Sequence, residues 1–116
     1  MEDTKAKEFF EEVLSKARAG RIRWQPTAEE SEFIAAIGGQ FTLSVREYES
    51  PNQDMLPFTR YALTVKDRDG RVLTTITSTD PGIVESDVRE LYETARRQAL
   101  RVDDKIDQVL VELSKL

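Results

Sequence analysis

Phe33-Ile34-Ala35-Ala36-Ile37-Gly38-Gly39-Gln40-Phe41-Thr42-Leu43-Ser44-Val45 is two short runs of alternating apolar residues joined by a glycine pair. Phe33, Ala35 and Ile37 share one side of the first run, and Phe41, Leu43 and Val45 share one side of the second. A period of two belongs to half-buried strands. Gly38-Gly39 supplies two residues able to take positive φ, so the stretch predicts an antiparallel hairpin with a two-residue turn. The same period continues downstream. A loop rich in turn residues, Ser50 to Pro57, leads to Tyr61, Leu63 and Val65, and Asp67-Arg68-Asp69-Gly70 turns the chain into Val72, Thr74 and Ile76. The result is a meander with an apolar face (Phe41, Leu43, Val45, Tyr61, Leu63, Val65, Val72, Ile76) and a mainly polar face (Thr42, Ser44, Arg46, Thr64, Lys66, Thr75, Thr77).

Working outward, Arg21 to Trp24 is a candidate short strand with Ile22 and Trp24 on one side, closed by Pro26 and the polar run to Glu32. Before it, Thr4 to Ala19 carries Phe9, Phe10, Val13, Leu14 and Ala17 at helical spacing, and Gly20 is placed to end that helix. After the sheet, Asp80-Pro81-Gly82 breaks the last strand, and Asp80 or Ser86 is positioned to cap the next element. From Ile83 to Leu116 there is no Gly or Pro. Val88, Tyr92, Ala95, Ala99, Val102, Ile106, Val109, Leu113 and Leu116 recur at steps of four and three, an a/d stripe. This predicts one helix of roughly 30 residues, about 45 Å long. The expected fold is α+β and two-layered, a four-stranded antiparallel meander with a short N-terminal helix and a long C-terminal helix on one face, forming a single domain over residues 1–116.

The composition excludes several kinds of chemistry. The 116 residues include no Cys and no His, so Cys/His zinc sites and His-activated nucleophiles are absent. The charged N-terminus, Met1 to Lys7, and the lack of a long apolar run suggest a cytoplasmic protein. With 17 basic and 22 acidic residues the net charge is −5, which repels phosphate backbones on average, so nucleic-acid binding requires a local basic face.

No catalytic, cofactor or metal motif emerges, and the expectation is a non-enzymatic protein without cofactor. Asp67-Arg68-Asp69-Gly70 begins like a calcium loop but lacks the later carboxylates and reads as a hairpin turn. Gly38-Gly39 lacks the Lys-Ser/Thr of a phosphate loop. Asp103, Asp104 and Asp107 are interrupted by Lys105 and have no identifiable partner carboxylates elsewhere. Trp24, Tyr61 and Tyr92 are candidates to line a small-molecule pocket between sheet and helices, but aromatics at core spacing more simply build core. Arg18, Arg21, Arg23 and Trp24 form a candidate nucleic-acid patch, a basic cluster beside an aromatic. Arg46 and Lys66 on the polar sheet face are a second.

The strongest expectation is self-association. A helix of that length overhangs a small sheet, and the overhanging stripe needs a cover. Ala95, Ala99, Val102, Ile106, Val109 and Leu113 form the expected homodimer interface. Arg96 and Arg97 precede Asp103 and Asp104, so antiparallel copies would bring opposite charges together about a twofold axis near Ala99 and Leu100.

The stretch Leu91-Tyr92-Glu93-Thr94-Ala95-Arg96-Arg97-Gln98-Ala99, followed by Val102-Asp103-Asp104-Lys105-Ile106-Asp107, together with Arg23-Trp24 and Phe33-Ile34-Ala35-Ala36-Ile37, resembles a group of small bacterial proteins with no assigned activity. The resemblance implies a bacterial cytoplasmic origin and no mechanism. The order of four antiparallel strands and a long helix is similar in topology to the Whirly and PUR single-stranded nucleic-acid binding domains, which associate through that helix. The extra N-terminal helix, the acidic balance and the sparse aromatics on the polar sheet face depart from that class. The function expected is therefore self-association with binding of another macromolecule, a protein partner before a single-stranded nucleic acid.

Overall fold

The computed structural model describes residues 3–51 and 56–116. The first element is the predicted amphipathic helix, α1 (Asp3–Arg18), which buries Phe10, Val13, Leu14 and Ala17. Gly20 ends it at φ +71°: its N–H donates to Ala17 O and that of Arg21 to Lys16 O, the paired bonds of a Schellman cap.

Five strands follow in the order β1-β2-β3-β4-β5, all antiparallel: β1 (Gln25–Pro26), β2 (Glu32–Ile37), β3 (Phe41–Pro51), β4 (Pro57–Lys66) and β5 (Val72–Thr77). The expected count of four is thus corrected to five. Arg21 to Trp24 is not itself a strand. The added edge strand follows directly after it, where Gln25 pairs with Ile34 and Pro26 with Phe33. An edge is where a proline, with no N–H to give, is tolerated. Ile22 and Trp24 are nevertheless buried, as their spacing implied.

The central hairpin turns at Gly38 and Gly39, with φ of +63° and +73°, and pairs Ile37 with Phe41. β3 and β4 are longer than the apolar alternation suggested: pairing continues through Tyr48↔Arg60 and Ser50↔Phe58 to Pro51↔Pro57. Of the loop expected over Ser50 to Pro57, residues 52–55 lie outside the described residues. The Asp67 to Gly70 turn is held by its own carboxylate, since Asp67 Oδ1 accepts the N–H groups of Asp69 and Arg71, both at 2.9 Å. A second correction concerns Val72, expected on the core face. Val65 pairs with Thr74 but Lys66 with Val72, so one extra residue bulges out of β5 and Val72 turns to the polar face, 57% exposed.

The third correction is the largest. The long helix is two helices, α2 (Glu85–Ala99) and α3 (Val102–Leu113), separated by Leu100 and by Arg101 in the left-handed conformation at φ 53°, ψ 48°. Neither Asp80 nor Ser86 caps α2. Val84 occupies that position without a side-chain bond, and Asp80 instead binds the N–H and hydroxyl of Thr77 at 3.0 and 2.9 Å.

One hydrophobic cluster joins the buried residues of α1, Ile22 and Trp24, the inward positions of β2 to β5, and Val88, Leu91, Tyr92 and Ala95 of α2. Leu91, completely buried, belongs to this set although the a/d reading passed over it. α3 contributes no buried residue. The radius of gyration, 16.1 Å, exceeds the about 13 Å of a compact chain this long. Among the described residues no helix is long and apolar enough to cross a membrane.

Candidate interaction surfaces

The expected interface residues divide at the break between α2 and α3. Ala95 is fully buried in the core of its own chain, which removes it from any exposed surface, and Ala99 is half-buried against that core. Val102 is half-buried, while Ile106, Val109 and Leu113 are 51, 54 and 54% exposed. At about 100° per residue, Val102, Ile106, Val109, Leu110, Leu113 and Leu116 fall within an arc of about 120°. Leu110 and Leu116, 57 and 100% exposed, therefore widen the stripe. Leu110 lay outside a strict a/d count, although its place beside Ile106 on the helical projection was readable. Lys105 and Glu112 border one side of the stripe, and Asp103 and Asp107 the other.

The charges expected to pair between copies are instead paired within the chain. Arg97 donates to Asp103 at 2.6 Å, and Arg101 donates to Asp104 through Nε at 3.1 Å and Nη2 at 2.9 Å. The Arg97–Asp103 bond spans the helix break, where Arg101 takes a left-handed conformation that costs a non-glycine residue about 1–2 kcal/mol. The bonds from Arg97 and Arg101 also turn two of the three clustered aspartates toward guanidinium groups.

The basic patch does not assemble as a stacking site. Trp24 is 3% exposed, its backbone N–H donates to Gln98 Oε1 at 2.6 Å, and its buried indole Nε1 has no partner among the described residues. Arg18 makes a two-pronged bond to Glu90, Nε to Oε2 at 2.8 Å and Nη2 to Oε1 at 2.7 Å, with Asp87 3.7 Å away. That bond holds the Glu90 carboxyl below its ordinary value and raises the Arg18 guanidinium. Arg21 and Arg23 remain exposed. Tyr61 and Tyr92 likewise belong to the core. Tyr92 packs against Phe33 at 5.7 Å and Tyr61 at 5.4 Å between ring centroids, and burial raises both phenols above their ordinary value.

The polar face of the sheet carries a different arrangement. β3 and β4 pair beyond the last partners of their neighbours, Glu32↔Arg46 on one side and Ala62↔Thr77 on the other, so residues 47–51 and 57–61 form a two-stranded arm. At its root the Arg46 guanidinium lies 5.0 Å from the Tyr48 ring centroid, and that of Arg60 lies 4.7 Å from the Phe58 ring. Tyr48 and Arg60 are direct cross-strand partners. Among the described residues neither arginine forms an ion pair, nor does Lys66 on the same face. Nearer the sheet's middle, Ser44 is buried and donates to Glu32 at 2.6 Å, and the hydroxyls of Thr64 and Thr75 are 3.2 Å apart. The arginine and aromatic pairs were hidden from a face reading confined to residues 41–46 and 61–66, because β3 and β4 run past the apolar alternation.

No family model, no curated protein and no solved structure matches the chain.

Proposed function

We propose that this protein is a non-enzymatic interaction module that works as a homodimer, each copy covering the apolar stripe of the other's α3. The observation that carries the reading is that α3 presents Ile106, Val109, Leu110 and Leu113 to solvent and buries nothing. We read α1 and α2 as the helical layer on the sheet's inward face, since their buried residues share one cluster with it, which leaves α3 outside the layer. An isolated helix of 12 residues is only marginally stable in water, so α3 gains order when its stripe is covered. The surface area supports the same reading: 8204 Å² against about 6,500 Å² for a compact chain of this mass. The excess, about 1,700 Å², is about twice the roughly 800 Å² that each partner buries in a standard interface.

The flanking charges favour antiparallel α3 helices. In that arrangement equivalent flanks face one another, so Lys105 of one copy lies opposite Glu112 of the other, twice, about an axis near Val109. This replaces the axis near Ala99 and Leu100, whose arginine and aspartate residues are already engaged with each other. Light scattering after size exclusion over a hundredfold concentration range tests the reading. A mass of twice 13.3 kDa supports it, and a monomer at the highest concentration refutes it.

A further inference from the structure

We infer that the root of the β3–β4 arm is a binding site for single-stranded nucleic acid, centred on Arg46, Tyr48, Phe58 and Arg60. Three features of the surface lead there. The four side chains sit on one face in successive cross-strand rows, Arg46↔Ala62, Tyr48↔Arg60 and Ser50↔Phe58, so that cation and aromatic alternate along a diagonal. Same-face rows are about 6.8 Å apart along a strand, giving the diagonal a length of about 14 Å, enough for a short run of nucleotides rather than one small anion. Neither guanidinium forms an ion pair among the described residues, in contrast to Arg18, Arg71, Arg97 and Arg101; the carboxylate of Glu32, cross-strand partner of Arg46, is bonded instead to Ser44. A guanidinium over a ring can still offer N–H groups to a phosphate oxygen, while the aromatic and guanidinium groups offer surfaces on which a base can stack.

The neighbouring residues suit the same occupant. Ala62, the cross-strand partner of Arg46, is small, and at the far end of β4 Lys66, two same-face rows away, adds a third cation on the same face. The arm's other face carries Glu47 and Glu49, which confines an anionic strand to the arginine side. The net charge of −5 limits the affinity that non-specific attraction can provide and makes binding depend on this local cluster. A duplex presents phosphates without open base faces, so the aromatic and guanidinium stacks favour the single strand.

The experiment is fluorescence anisotropy of a labelled single-stranded oligothymidylate, about a dozen nucleotides long to span one site, titrated with the full-length protein at several salt concentrations. Binding is expected at low salt and weakens as salt rises, with a log–log slope of about −1.4 if two phosphates are neutralised. Arg46→Ala with Arg60→Ala is expected to weaken binding about tenfold or more and to flatten that slope, and Tyr48→Ala with Phe58→Ala to weaken it about tenfold with the slope retained. Lys7→Ala with Lys16→Ala, which removes the same charge from α1, leaves binding unchanged. Circular dichroism and light scattering establish that each variant keeps its fold and oligomeric state, which separates this inference from the dimer. Absence of binding at the lowest salt overturns it, as does binding indifferent to the arginine pair. Equal or tighter binding to the matching duplex or to polyglutamate also overturns it, by showing that charge alone is read.

Discussion

Ile106→Asp combined with Val109→Asp is expected to convert the dimer to a monomer while leaving the fold of each chain intact. Both residues are about half exposed in the isolated chain. Complete burial of such a side chain is worth about 1.5–3 kcal/mol, so covering the exposed half contributes about 1 kcal/mol per residue, or about 4 kcal/mol for two residues in two copies. Loss of that contribution alone weakens association by about three decades in Kd. The four introduced carboxylates, brought together near the proposed axis, add repulsion and desolvation in the same direction. Neither residue belongs to the hydrophobic cluster, so the cost within the chain is small, with a helix-propensity difference between Ile or Val and Asp of about 0.3 kcal/mol or less each. Sedimentation equilibrium of parent and variant gives the two dissociation constants. Thermal unfolding, compared at a concentration where the parent is monomeric, gives the intrachain cost free of mass action. A variant that remains as dimeric as the parent refutes the α3 interface. A variant that loses its cooperative unfolding transition refutes the claim that α3 lies outside the core.

Amide hydrogen exchange should show α3 weakly protected in dilute solution and more protected as concentration rises, while the amides of α2 around Leu91 stay protected throughout. Exchange in α3 that is independent of concentration would contradict a stripe covered by a second copy. Trp24→Phe removes a buried N–H donor that has no partner among the described residues, a lack that costs about 1–3 kcal/mol and offsets the loss of ring volume. Urea unfolding is expected to place it within about 1 kcal/mol of the parent, whereas Trp24→Ala should cost about 3–5 kcal/mol. Tyr61 and Tyr92 titrate above their ordinary 10.0 because burial disfavours the phenolate, with Glu47 adding to the effect. A folded-state value raised above the unfolded one contributes stability that is complete below about pH 10. That contribution fades as the pH climbs through the raised value. Stability should therefore fall on the alkaline side above pH 10, and Tyr61→Phe with Tyr92→Phe should reduce that fall.

Much of the fold was legible because its determinants are local. The alternation through Phe33, Leu43, Val45 and Leu63 could bury only one face, and those residues are buried. Gly38, Gly39 and Gly20 stand where positive φ is needed, and the structure places each there. The edge strand β1 escaped because two residues carry no period, and the outward turn of Val72 because a bulge depends on register with a partner strand rather than on the strand's own sequence. The candidate surfaces were less legible still. Trp24 beside three arginines has the composition of a stacking site, yet the indole is the part that fills the core and Arg18 is occupied by Glu90, 72 residues away.

The sequence by itself determined the strands and their turns, the inward sides of α1 and α2, and an apolar stripe that continues to the C-terminus. Periodicity and turn chemistry act over a few residues, so a single chain displays them without reference to anything distant. The tertiary structure alone decided how that stripe is divided, with Val88 to Ala95 buried under the sheet's core and Ile106 to Leu116 left to solvent. No Gly or Pro marks the division at Arg101, because good helix formers stand on both sides of it. What sets it is a comparison that local sequence does not contain: the packing available to Ala99 and Leu100 against the core, and the ion pairs from Arg97 and Arg101 to Asp103 and Asp104, against the cost of one left-handed arginine.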